Sequence, residues 1–193
     1  IVTPYYNKAT QNGLYEHYRQ IAEHTPKPII LYNIPSRTGC NMLPETVARI
    51  ADSCPNVTGI KEASGNISQV AKLASLVGDR LDIYSGNDNQ IVPVMSLGGT
   101  GVISVLANLL PKNIHDITKE MLNGNYITAK NTQLEYEKLI EKLFAEVNPI
   151  PVKAALHMMG MDVGPVRLPL TELEETHKIE LKRAMSEAGI RSL

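Results

Sequence analysis

The stretch Val57-Thr58-Gly59-Ile60-Lys61-Glu62 decides how the chain is read: a β-branched, apolar run that ends abruptly in a lysine and a carboxylate. Such a run, closed by charged residues, reads as a buried strand with its chemistry at the carboxyl end. Outward from it, runs of the same kind lie at 1–3, 28–33, 81–85 and 101–105, each bounded by turn residues. Between them fall amphipathic stretches with apolar residues at helical spacing, at 13–24, 44–51, 68–77 and 90–97. Pro44 suits a first-turn position and Ser68 a cap. The strands are nearly continuous in apolar character, the pattern of parallel strands covered on both faces and joined by helical crossovers. Beyond about residue 107 the strand pattern stops. Helical stretches follow at 111–123, 125–144, 149–159 and 171–188, the last opened by the capping-box spacing Thr171-Glu172-Leu173-Glu174 and closed by Gly189. The fold class is therefore α/β over 1–110, with a helical part over 111–193.

Composition narrows the function. The 193 residues are 43% hydrophobic and 20% charged, with 19 basic against 20 acidic side chains and a net charge of -1. That balance gives no electrostatic footprint for nucleic acid or an anionic membrane surface. The apolar runs fall short of the ~20 residues that span a bilayer. Cys40 and Cys54 stand outside any C-x-x-C spacing, which points to a reducing, cytoplasmic setting. The five histidines, His17, His24, His115, His157 and His177, form no H-x-x-x-H or H-E-x-x-H pair, so no metal site is expected. The chain opens on Ile1-Val2-Thr3 without a methionine, already in a strand, and more sequence is expected ahead of it.

In parallel α/β folds function gathers at the carboxyl ends of the strands. Those ends read Tyr5-Tyr6-Asn7, Tyr32-Asn33, Lys61-Glu62, Ser85-Gly86-Asn87-Asp88 and Ser104. An amine at the end of a buried strand is partly desolvated, which disfavours its ammonium form and suits it to bond a carbonyl carbon as an imine. The alternative is a lysine whose head reaches back to solvent. Tyr32 can pass protons beside such an amine, and Arg37, in the turn Pro35-Ser36-Arg37-Thr38-Gly39, can hold a carboxylate with two parallel bonds. The alternatives are a satisfied core tyrosine and a solvated loop arginine. Gly98-Gly99-Thr100-Gly101 precedes its strand and reads as a tight turn; Asp88 and Glu62 read as polar rim or helix-start residues, and Met158, Met159 and Met161 as core filler.

The runs Val2-Thr3-Pro4-Tyr5-Tyr6-Asn7, Leu31-Tyr32-Asn33-Ile34-Pro35-Ser36-Arg37-Thr38-Gly39, Gly59-Ile60-Lys61-Glu62-Ala63-Ser64-Gly65, Ser85-Gly86-Asn87-Asp88 and Gly101-Val102-Ile103-Ser104-Val105 closely resemble the dihydrodipicolinate synthase family. Asn148-Pro149-Ile150-Pro151-Val152-Lys153 and Arg167-Leu168-Pro169-Leu170 fit it too. The resemblance implies a (β/α)8 TIM barrel with a C-terminal helical extension, present here from about strand 4 to strand 8. It implies a cytoplasmic Schiff-base lyase that joins pyruvate to L-aspartate 4-semialdehyde for lysine and diaminopimelate synthesis, without cofactor or metal. By resemblance Lys61 forms the imine, Tyr32 is the proton donor and acceptor, and Tyr6 relays protons into a neighbouring subunit's site. Arg37 would bind the semialdehyde carboxylate, Ile103 and Gly86 would line the pyruvate pocket, and Tyr5 would stand near a lysine-inhibition site. A homotetramer, built as a dimer of dimers, is the implied assembly. The related N-acetylneuraminate lyases usually lack the Ser-Arg-Thr-Gly continuation found here, so they are the second reading; a non-catalytic remnant that serves only in assembly is the third. By the same resemblance the chain begins inside the fourth strand, leaving the family's Gly-Thr-Thr-Gly-Glu region and its relay threonine outside. Open sheet edges and an uncovered interior would follow, and the 193-residue chain alone is expected to be inactive or poorly folded.

Overall fold

The computed structural model describes residues 1–191. The chain divides into two compact units, Ile1–Ile103 and Ser104–Leu193. The first unit runs α1 (Gln11–Glu23), β1 (Ile29–Asn33), α2 (Pro35–Thr38), α3 (Pro44–Ser53), β2 (Val57–Glu62), α4 (Ile67–Val77), β3 (Asp82–Ser85), α5 (Ile91–Ser96) and β4 (Gly101–Val102). Its strands are parallel, in the order β1-β2-β3-β4. Crossovers between parallel strands are almost always right-handed. A sheet that adds each new strand on the same side therefore places all its connecting helices on one face, which is the winding of a barrel.

The register sorts the side chains into rows. Leu31 pairs with Ile60 and Ile60 with Ile83, and these buried residues share one apolar cluster with Leu14 and Tyr18 of α1, Ile50 of α3 and Leu73 of α4. Each such side chain contributes ~1.5–3 kcal/mol by leaving water. One residue further, the row Tyr32, Lys61, Tyr84 and Gly101 faces the opposite side. That side is only partly covered in this chain: Tyr32, Lys61 and Tyr84 are half-buried, and Ile30 on the same face is 37% exposed. The apolar strand pattern, read as two covered faces, thus describes one face fully and the other in part.

Several elements differ from the sequence reading, each for a local reason. The run 1–3 makes a single parallel bridge, Val2 to Tyr32, in which the Tyr32 amide donates to Ile1 O at 2.8 Å and the Thr3 amide to Tyr32 O at 3.0 Å. The next donor toward β1 would be the Tyr5 amide, two residues on, but the chain turns there, with the Asn7 amide donating to Tyr5 O at 3.0 Å. The strand expected over 101–105 ends after Val102, although the Ile103 amide still reaches Ser85 O at 2.9 Å. Asn66, not Ser68, caps α4, accepting the Gln69 amide at 3.1 Å. Helix α2 lies where the sequence reads as a turn; it is a single helical turn closed by Gly39, whose φ of 64° places it in the left-handed conformation where glycine carries no steric cost.

The second unit is helical: α6 (Pro111–Leu122), α7 (Tyr126–Glu135), α8 (Glu137–Leu143), α9 (Ile150–Met158) and α10 (Glu175–Glu187). The helix expected over 125–144 is broken at Tyr136, whose φ and ψ of -96° and 3° leave the helical basin. Its buried ring is held there by Asn113 Nδ2, which donates to the phenol oxygen at 2.7 Å. The capping box expected at Thr171 is absent, and α10 begins only after Glu174. Its cap comes from a distant residue instead: the Glu146 carboxylate accepts the Glu174 amide at 2.9 Å and the His177 Nδ1 hydrogen at 2.7 Å. Among the described residues no helix is long and apolar enough to cross a membrane.

Two outcomes follow. At Gly86 an added Cβ would lie 2.4 Å from the Ala63 Cβ and 3.1 Å from Glu62 O, so Gly86→Ala is expected to cost about 1–3 kcal/mol in denaturant unfolding. For the α10 cap, the hydrogen bond to Glu146 raises the His177 pKa, while His177 and then the Glu174 amide lower that of Glu146. A raised histidine stabilises fully below its unfolded value of 6.5 and loses that contribution as pH rises through its folded pKa. A lowered carboxylate stabilises above its unfolded value of 4.5 and loses that contribution as pH falls through its folded pKa. The urea midpoint is therefore expected to fall between pH 6 and pH 8, and to fall less in His177→Gln; equal slopes would remove the cap from the account.

Candidate active site

Parallel pairing sets Tyr32 directly beside Lys61. The lysine Nζ stands 4.4 Å from the centre of the Tyr32 ring. Burial lowers the Lys61 pKa first of all; the Asp88 carboxylate opposes that shift, and the Arg37 guanidinium adds to it. The same burial raises the Tyr32 pKa, against a smaller downward pull from Arg37. A half-dry amine thus lies against an aromatic face, beside a phenol that stays protonated at neutral pH. Arg37, carried on α2 just after β1, is close enough to act on both. Tyr32, Lys61 and Arg37, three residues singled out from the sequence, come together as one group.

Asp88, which reads in sequence as a rim or helix-start residue, does open the turn 88–90 ahead of α5. It is nevertheless only 2% exposed, and its charge reaches Lys61. Glu62, given the same reading, is neither: it is 3% exposed and, one residue after Lys61, turns to the opposite, helix-covered face. Tyr84, beside Lys61 in the next strand, is a neighbour that the sequence reading misses. Its ring walls that row, while its hydroxyl leans back toward Asp82 at 3.5 Å. A tyrosine in mid-run carries no sequence signal for this; only the register does.

Gly86 stands where the turn after β3 touches the end of β2, its amide donating to Glu62 O at 2.8 Å. Ile103 follows β4 with its amide bound to Ser85 O and its side chain 41% exposed. Tyr5 and Tyr6 are 69% and 90% exposed. Tyr6 has a φ of 73°, under a turn closed by the Asn7 amide on Tyr5 O at 3.0 Å. A bulky side chain held there costs on the order of 1–3 kcal/mol, the kind of strain found where a side chain is displayed for use. Elsewhere, Glu146, Glu174 and His177 bring three donor atoms within 4.8 Å of one another, all of them at the α10 cap already described. A cavity of about 570 Å³ in the second unit, lined by Lys153, His157, Asp162 and Lys178 among others, includes none of the strand-end residues.

Comparison with known proteins agrees with this geometry. The model of the dihydrodipicolinate synthetase family matches residues 1–188. A 4-hydroxy-tetrahydrodipicolinate synthase from Caldicellulosiruptor saccharolyticus is 57% identical over 189 residues, covering 98% of this chain and 63% of that protein. The enzyme of the same name from Thermoanaerobacter sp. (strain X514) is 52% identical over 190 residues, covering 98% of this chain and 64% of its own length. Among solved structures, the chloride-inhibited dihydrodipicolinate synthase from Acinetobacter baumannii, complexed with pyruvate, superposes with a TM-score of 0.94 at 44% identity, over 98% of this chain and 65% of that one. The chain thus spans about 64% of the length of the curated relatives it matches. Its α/β unit is a segment of a (β/α)8 barrel. By sequence, fold and the residues at its strand ends, the chain belongs to the dihydrodipicolinate synthetase family.

Proposed function

We propose that this chain provides the imine-forming lysine of a 4-hydroxy-tetrahydrodipicolinate synthase, condensing pyruvate with L-aspartate 4-semialdehyde in lysine and diaminopimelate synthesis. The observation that carries the reading is the half-buried Lys61 amine against the Tyr32 ring, with its pKa lowered by burial. Only a neutral amine is nucleophilic, and desolvation is how a protein supplies one near neutral pH.

The chemistry runs through that nitrogen. The Lys61 amine attacks the pyruvate ketone, and the carbinolamine loses its oxygen as water after taking a proton from the Tyr32 phenol. The resulting iminium is the electron sink, so a methyl proton leaves to give an enamine. The enamine carbon attacks the aldehyde of the second substrate, whose carboxylate Arg37 holds through paired hydrogen bonds. The α-amino group that the semialdehyde brought then displaces Lys61 by transimination, closing the ring and freeing the lysine. Gly86 and Ile103 line the pyruvate end in this reading, Gly86 because no larger residue fits between β2 and β3. Tyr6, strained and displayed to solvent, completes the proton relay in a neighbouring copy of the chain, and Tyr5 lies near a lysine-binding inhibitory site at that contact. The assembly is a cytoplasmic homotetramer, a dimer of dimers.

Borohydride reduction in the presence of pyruvate, followed by peptide mass mapping, tests the reading in the full-length protein. The adduct is expected on Lys61 and is lost in Lys61→Ala; a folded protein without it, or with it on another lysine, contradicts the proposal. Turnover with L-aspartate 4-semialdehyde but not with sialic acid is expected, and the reverse preference would move the chain to the sialate lyases. Arg37→Ala is expected to raise the KM for the semialdehyde at least about tenfold while leaving imine trapping intact, since charge-assisted bonds of this kind are worth that much. Equal loss of both steps would remove Arg37 from that role.

A further inference from the structure

We propose that Glu62 is a positioning residue that holds the Arg37-bearing turn against the end of β1, and so governs capture of the second substrate. The inference rests on the reading of Arg37 as the carboxylate-binding group. Glu62 pairs in register with Asn33 on the helix-covered face, and both are buried, at 3% and 0% exposure. Asn33 Nδ2 donates to both carboxylate oxygens, at 3.0 and 3.3 Å, and to Asn41 Oδ1 at 2.9 Å. Asn33 Oδ1 accepts the Met42 amide at 2.9 Å. The carboxylate also accepts the Ser64 amide at 2.7 Å and, more loosely, Gln69 Nε2 at 3.4 Å. Asn41 and Gln69 exchange amide hydrogen bonds at 2.9 and 3.1 Å.

These bonds bracket the segment 34–40. Asn33 stands at its start, Asn41 and Met42 at its end, and Arg37 lies between on α2. A buried carboxylate facing only donors is the fixed point: it presents no hydrogen, so each group around it must turn a hydrogen inward. Lys61 is held by its own strand ladder on the opposite face, so loosening this network reaches Arg37 before it reaches the imine-forming amine.

The donor and acceptor pattern makes the inference testable by reversal. In Glu62→Gln, the new amide keeps one oxygen for the Ser64 amide and turns a donor toward Asn33 Nδ2, which is also a donor. In Asn33→Asp, two carboxylates face each other. In the double variant the Ser64 and Met42 amides donate as before, and the side-chain bonds can form again with their direction reversed, apart from the longer 3.3 Å contact to the oxygen that serves Ser64. The introduced glutamine amide then donates to the introduced aspartate, which still accepts the Met42 amide. Once Asn41 and Gln69 have turned their own amides over, Asn41 donates to that aspartate and Gln69 accepts from the new glutamine.

The experiment measures semialdehyde KM and borohydride trapping of pyruvate in the full-length protein and its three variants. Each single variant is expected to raise the KM roughly tenfold with trapping on Lys61 retained, and the double to return within about threefold of the starting value. A double variant that does not fold, or folds with its KM still raised, overturns the proposal, whatever the singles do. So do singles whose KM is unchanged, or whose trapping falls in step with their KM, as a purely structural role for Glu62 would produce. Absence of trapping in the unsubstituted protein, or an Arg37→Ala variant with unchanged KM, would instead defeat the underlying reading of the site.

Discussion

The pairing of β1 with β2 in one register underlies everything else in the first unit. It sets Tyr32 beside Lys61 and, one step on, Asn33 beside Glu62. Because side chains alternate across a strand, the same ladder sends the amine to the partly open face and the carboxylate to the closed one. A slip of one residue would exchange them. The amine would then lie among helix-facing donors with no opposing charge, and the carboxylate would stand against the Tyr32 ring. The buried pairs Leu31–Ile60 and Ile60–Ile83 oppose that slip, since it would turn the apolar row out of the core.

Two charged neighbours in sequence consequently live in opposite electrostatic settings. Lys61 loses water: burial above all disfavours its charge, the Asp88 carboxylate opposes that, and Arg37 adds to it. Glu62 loses more water but is met by the Asn33 and Gln69 amides and the Ser64 N–H. Those donors satisfy the buried carboxylate's oxygens, which burial would otherwise leave without partners. The backbone at the same spot ties in the third strand, through the Gly86 amide on Glu62 O. Neighbouring residues therefore place a half-dry amine on one side of the sheet and a buried, hydrogen-bonded carboxylate on the other.

Much of this is legible in the sequence, and the part that is not has a common cause. The β2 and β3 runs, the helix that starts at Pro44, and the polar residues at the strand ends follow from periodicity and turn chemistry that act within a few residues. So does the grouping of Tyr32, Lys61 and Arg37, because parallel folds bring strand ends together. What the sequence hides is set by partners far along the chain. Glu146 caps a helix from 28 residues away. Asn113 draws Tyr136 out of a helix that its own neighbours would continue. Glu62 looks like a rim residue until Asn33, 29 positions earlier, is seen across from it. Tyr84 joins the Lys61 row only through strand register.

The central claim is that Lys61 sheds its proton more readily than a lysine in water, because it is buried beside Tyr32 and under the field of Arg37. Its most direct test is an NMR titration of the Lys61 side chain in the folded protein, followed at the carbon next to the amine. The account predicts a midpoint below the ordinary lysine value of 10.5. A midpoint at or above that value would mean a solvated ammonium, and would contradict the account.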